Sequence, residues 1–79
     1  MVNEELLKQV MGTVFGVDPA SIGPHSSMDN IKSWDSLKHM NLILALEEEF
    51  RVTLPDEEAA NITSYPLIKL ALQERMKTT

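Results

Sequence analysis

The sequence contains no cysteine. That excludes a disulfide framework, a cysteine-based zinc site and a thiol nucleophile from the chain itself. It is also short. Its 79 residues make one domain at most, here residues 1–79, and a chain of this size buries only about 60% of its unfolded surface. A deep substrate pocket and a core to support it would compete for the same few side chains, which argues against a self-contained enzyme. Basic residues are scarce: seven Lys and Arg stand against twelve Asp and Glu, for a net charge of −5 and a pI near 4.8. Nucleic-acid binding draws much of its affinity from cations that neutralise phosphates. With no basic cluster, neither nucleic acid nor an anionic membrane is an expected partner, whereas proteins with basic docking patches are. No apolar run approaches the ~20 residues that span a bilayer. The start, Met1-Val2-Asn3-Glu4-Glu5, lacks the basic, apolar, small-residue order of a secretory signal. The expectation is a soluble, most simply cytoplasmic, protein.

What remains is ordinary globular material, 43% hydrophobic and 24% charged, and its periodicity is helical. In residues 3–15, Leu6, Leu7, Val10, Met11 and Val14 share one face, Asn3 suits the N-cap, and Gly16 suits the stop. Gly12, inside that pattern, costs about 1 kcal/mol relative to Ala and points to close packing. Residues 16–34 form a long connection rich in turn formers. Asp18-Pro19-Ala20-Ser21 suits one helical turn, and Val17, Ile22, Met28 and Ile31 are spaced to pin the loop to a core. Residues 36–51 are the central helix, with His39, Leu42, Ile43, Leu46 and Phe50 on one side. A short helix follows at residues 56–61. A last one is expected over 64–77, capped by Thr63 or Ser64, with Leu67, Ile68, Ala71, Leu72 and Met76 inward and Lys69, Arg75 and Lys77 set to favour its dipole. A strand at 52–54 would have no partner strand. The fold class is all-α: a small bundle of three longer helices plus one short helix, with a long loop between helices 1 and 2.

The central helix carries more apolar surface than one buried face requires. A second line, Leu37, Met40 and Leu44, is extended by Glu47 and Glu48. At its start, Asp35 can cap the helix and leave Ser36 on the exposed first turn. A hydrolytic reading of Ser36 with His39, three residues on, lacks an orienting acid and a glycine-rich loop of oxyanion donors. His39 also falls on the core-facing line, where a packing role is expected, and His25 is a lone loop histidine. The carboxylates at 47–49 and 56–58 lack the order of a calcium loop or the histidine spacing of a zinc site, so a solvated acidic face is expected there. A helix-terminal hydroxyl does suit a phosphate ester, because the backbone N–H groups favour the anion.

Asp35-Ser36-Leu37, followed by Leu42-Ile43-Leu44-Ala45-Leu46-Glu47-Glu48-Glu49-Phe50 and then Leu54-Pro55-Asp56-Glu57-Glu58, closely resembles the acyl carrier proteins. The resemblance covers nearly the whole chain. It implies that Ser36, flanked by the Asp35 and Leu37 of the motif, receives 4′-phosphopantetheine from coenzyme A through a phosphopantetheinyl transferase. It implies an acyl group held as a thioester on the arm's thiol, and hence a substrate shuttle rather than an enzyme. It implies that Leu37, Met40 and Leu44 make apolar contact with acyl-transferring, ligating or condensing enzymes and that Glu47 and Glu48 pair with their basic residues. Packing of the three apolar residues under the loops is the competing account. A monomer is expected.

The match departs at three places. Carriers of fatty-acid synthesis often have acidic residues where this helix has Lys38 and Asn41, and a small residue where this chain has Trp34. A carrier dedicated to a specialised pathway is therefore expected, with Trp34 covering the attachment point, touching a partner, or simply packed on the bundle. Peptidyl and D-alanyl carriers share the fold and the modified serine and stay open as alternatives, as does an unmodified helical interaction module.

Overall fold

The computed structural model describes residues 2–77. It has four α-helices: α1 (Glu4–Phe15), α2 (Ser36–Phe50), α3 (Asp56–Asn61) and α4 (Tyr65–Lys77), with a 3-10 turn at Pro19–Ser21 in the α1–α2 connection. No strand forms among the described residues, only an isolated bridge between Ser27 and Ser64. The expected all-α architecture holds.

Every helix but α3 begins where its sequence supplies a capping side chain. Asn3 accepts from the Leu6 amide at 3.1 Å, and Asp18 accepts from the Ala20 amide at 2.9 Å. The Ser64 hydroxyl faces the Leu67 amide at 3.4 Å. α1 ends on Gly16, whose φ of 69° lies in the left-handed region that glycine enters without a Cβ penalty. Gly12 is needed for another reason. A Cβ there would stand 2.8 Å from the Val17 carbonyl oxygen, because the loop folds directly back over α1.

The core is a continuous apolar cluster. Leu7, Met11 and Phe15 come from α1, Leu42 and Leu46 from α2, and Tyr65, Ile68 and Leu72 from α4. Each fully buried aliphatic side chain contributes about 1.5–3 kcal/mol. Ile22 is buried and Val17, Met28 and Ile31 are packed against the cluster, so the loop is pinned as its spacing predicts. Backbone pairing secures it further. The Met28 amide donates to the Thr63 carbonyl at 3.0 Å, and the Tyr65 amide donates to the Ser26 carbonyl at 2.8 Å.

One expectation for α4 is corrected. Leu67 is exposed, together with Leu70, and Tyr65 takes the inward position instead. Helical rotation explains this: Tyr65, Ile68 and Leu72 form the i, i+3, i+7 stripe that faces the core, and Leu67 falls off it. Two of the α4 cations also form ion pairs with other helices. Lys69 pairs with Glu4 at 3.1 Å and Arg75 pairs with Glu58. Tyr65 also donates its hydroxyl to Glu4 Oε1 at 2.7 Å, so α1 and α4 are tied at one end by a three-residue polar cluster. The side chain of Lys77 lies outside the described residues.

Candidate functional site

The end of the long loop is fixed before α2 begins. The Ser33 hydroxyl donates to the Phe15 carbonyl at 2.8 Å, satisfying one of the orphan acceptors at the end of α1. Trp34 is buried and stacks on Phe15, with ring centroids 4.7 Å apart. An indole that is buried needs an acceptor for its N–H, and Trp34 finds one in His39 Nδ1 at 3.0 Å. These contacts correct two expectations for Trp34. It neither covers the neighbouring serine nor faces a partner; it is a packed anchor that brings Asp35 and Ser36 to the surface.

Asp35 is the N-cap of α2. Its Oδ1 accepts from the Lys38 amide at 2.8 Å, and its carbonyl accepts from the His39 amide at 2.8 Å. Ser36 is therefore the first helical residue, and it is exposed. No hydrogen bond among the described residues engages its hydroxyl. The division of labour is physical: because the aspartate caps, the serine oxygen remains unclaimed at the positive end of a helix dipole. That is a fit for a phosphodiester, which needs a free oxygen to form and gains from the N–H groups beside it once formed.

The same geometry removes the hydrolytic reading. His39 is half-buried, and its two nitrogens are committed to Trp34 and, through Nε2, to the Ala59 carbonyl at 2.7 Å. No general base is left for Ser36. Among the described residues no group of three or more His, Asp or Glu side chains is placed to hold a metal ion.

Around Ser36 the second apolar line is fully presented. Leu37, Met40 and Leu44 are 68%, 65% and 63% exposed, which rules out packing under the loops. Of the two glutamates that extend it, Glu48 is exposed, while Glu47 is half-buried and accepts from the Leu54 amide at 2.8 Å. Glu47 thus closes the turn after α2, and only part of its carboxylate is available outward. Between α2 and α3 runs a mainly apolar cleft of about 380 Å³, lined by His39, Met40, Ile43, Leu44, Leu54, Ala59 and Ala60 with Glu47 and Asp56 at its polar edge.

The hydrogen bonds of His39 and Glu47 were not foreseen from sequence. The one available sign was Trp34, a residue with an N–H to satisfy, five positions before a histidine.

Comparison with known proteins meets this geometry. A family model described as "Phosphopantetheine attachment site" matches residues 5–65. An acyl carrier protein of Thermosynechococcus vestitus is 41% identical over 58 residues, covering 73% of this chain and 72% of that protein. The solution structure of a holo acyl carrier protein from Geobacter metallireducens superposes with a TM-score of 0.85 over 99% of this chain and 90% of that one. At 24% identity, this last likeness speaks to the fold alone. A family model spanning most of the chain, and a relative this similar over most of both lengths, identify the chain as a member of the acyl carrier protein family, a non-enzymatic carrier whose cofactor is covalent 4′-phosphopantetheine.

Proposed function

We propose that Ser36 is the attachment residue and that the protein shuttles acyl groups between enzymes of fatty-acid, polyketide or a related specialised biosynthesis. The observation that carries this is the exposed, unbonded Ser36 hydroxyl at the first position of α2, beside a capping aspartate and inside the span matched by the phosphopantetheine family. Attachment forms a phosphodiester at Ser36 Oγ and releases the adenosine bisphosphate portion of coenzyme A. Once attached, the arm supplies the thiol for a thioester, which a chain without cysteine cannot supply itself. Asp35 and Leu37 complete the motif read by the phosphopantetheinyl transferase.

The chain's other residues hold the cargo and meet the partners. The apolar lining of the α2–α3 cleft suits an aliphatic acyl chain better than a charged aminoacyl group. Leu37, Met40 and Leu44 form the apolar part of the docking face, and Glu48, with the outward part of Glu47, offers charge to basic residues of the partner. Lys38 and Asn41 replace acidity at the head of this face and direct the protein, as a cytoplasmic monomer, to enzymes of a specialised pathway.

Incubation of the unmodified protein with coenzyme A and a broad-specificity phosphopantetheinyl transferase tests the proposal. The intact mass should rise by one phosphopantetheine, and Ser36→Ala should abolish the gain. No gain, under conditions that modify a known carrier, would overturn it.

A further inference from the structure

α3 is the least secured helix of the fold. It has six residues, none of them buried, and no side chain caps its start. A helix that short does not hold itself in water, and its last four carbonyls have no partner within the helix. One of them, on Ala59, lies 2.7 Å from His39 Nε2. The other ring nitrogen decides which atom donates. Trp34 Nε1 is a donor only, and it lies 3.0 Å from Nδ1. Nδ1 is therefore the acceptor, and the imidazole proton sits on Nε2, aimed at Ala59. Trp34 has little freedom to do otherwise, since it is buried and stacked on Phe15.

We infer that His39 is a positioning residue that latches α3 against α2. Its Nε2–H holds the α3 backbone across the cleft and keeps the cleft narrow. Breaking that one bond lets α3 move outward and widens the cleft for a longer aliphatic chain. The tie spans the cleft itself, between His39 on the α2 wall and Ala59 on the α3 wall. The other anchors of α3 are a buried residue on each side of it, Leu54 before and Ile62 after, and the pair from Glu58 to Arg75. Those anchors hold the ends and one flank, and they serve as pivots when the latch opens. The functional meaning of the latch rests on the cleft being where the acyl chain lodges. The latch itself is a property of the chain without its arm.

The test is amide hydrogen exchange on the unmodified protein, comparing wild type with His39→Phe, His39→Gln and Trp34→Phe. Phenylalanine keeps the ring shape and removes both hydrogen bonds. Exchange at the C-terminal amides of α3 and at Ile62 should rise about five- to tenfold, the equilibrium value of one hydrogen bond, with α1 and α4 amides unchanged relative to each other. His39→Gln, which retains a donor, should restore most of the protection. Trp34→Phe keeps the stacking and removes only the N–H that sets the tautomer, so a smaller rise is expected, and it answers the question if His39→Phe does not fold. The inference is overturned if α3 exchange is unchanged in both Phe variants, if it rises only in step with α1 and α4, or if glutamine protects no better than phenylalanine. Failure of the carrier proposal would appear separately, as the absence of a mass gain on Ser36 with the exchange pattern intact.

Discussion

The hydroxyl of Tyr65 donates to Glu4 Oε1 at 2.7 Å, joining two residues separated by 61 positions in sequence. Lys69 completes the cluster from the next turn of α4. The Tyr65 hydrogen bond, with the Lys69 ammonium second, holds the Glu4 carboxyl below its usual range. Burial, and then the bond to Glu4, push the Tyr65 phenol well above its own.

A pH dependence follows from Glu4. A carboxyl with a lowered native pKa adds stability above its unfolded pKa and loses it as pH falls through the native value. Thermal melts across the acid range should therefore decline as Glu4 protonates. Glu4→Gln, which keeps an acceptor for Tyr65 but never ionises, should flatten that part of the profile. An identical acid limb in the variant would show that the stability resides elsewhere.

Tyr65→Phe should destabilise by about 1 kcal/mol, the net worth of a hydrogen bond whose acceptor stays in water. In a domain of this size that is a fall in Tm of about 4–8 °C. Calorimetry of the two proteins at neutral pH is the measurement.

The leucines of α2 should separate into two classes. Leu42 and Leu46 are completely buried, so either changed to Ala should cost about 2–5 kcal/mol. Total stability for a domain this small is of the same order, so the chain should be partly unfolded at room temperature. Leu44→Ala, on the same helix but 63% exposed, should stay within about 0.5 kcal/mol of wild type and instead weaken binding to partner enzymes. Urea unfolding and a binding titration distinguish the two effects.

Gly12→Ala should be destabilising although alanine is the better helix former by about 1 kcal/mol. The added methyl meets the Val17 carbonyl oxygen at 2.8 Å and the Pro19 ring at 3.0 Å. The first contact is with backbone, which yields only if the loop shifts. A urea midpoint at or above that of wild type would mean that the loop gives way freely.

Asp35→Asn should leave stability nearly unchanged, because asparagine caps as well as aspartate, whereas Asp35→Ala should cost about 1 kcal/mol. The pair separates capping from charge. A loss of modification by the transferase in Asp35→Asn, with the melt unaltered, assigns the carboxylate to recognition.

Local rules made much of this protein legible in advance. The caps at Asn3 and Asp35, the single turn following Asp18, the stop at Gly16 and the stripe through Leu42 and Leu46 depend on residues within a turn or two of each other, and each appears as its spacing predicts. The exposed place of Ser36 on the first turn of α2 was legible for the same reason. What escaped was set by contacts across the chain. Trp34 is drawn inward by Phe15 and Glu47 by the amide of Leu54, while His39 faces the core as its spacing predicts but meets unforeseen partners there, Trp34 and the Ala59 carbonyl. Leu67 was misplaced because α4 takes its rotation from the whole core, in which Tyr65 outweighs it.

The fastening of the long loop has a last consequence, in entropy. Residues 16–35 are anchored by Ser33 on Phe15 and by the pairing of Ser26 and Met28 with Tyr65 and Thr63. What would be one wide excursion is divided into short spans, each with few conformations left to lose. Ser36 thus emerges from a segment with little positional latitude. With attachment at Ser36 as proposed, the transferase would meet a target already held in place, and little of its binding energy would go into ordering the loop.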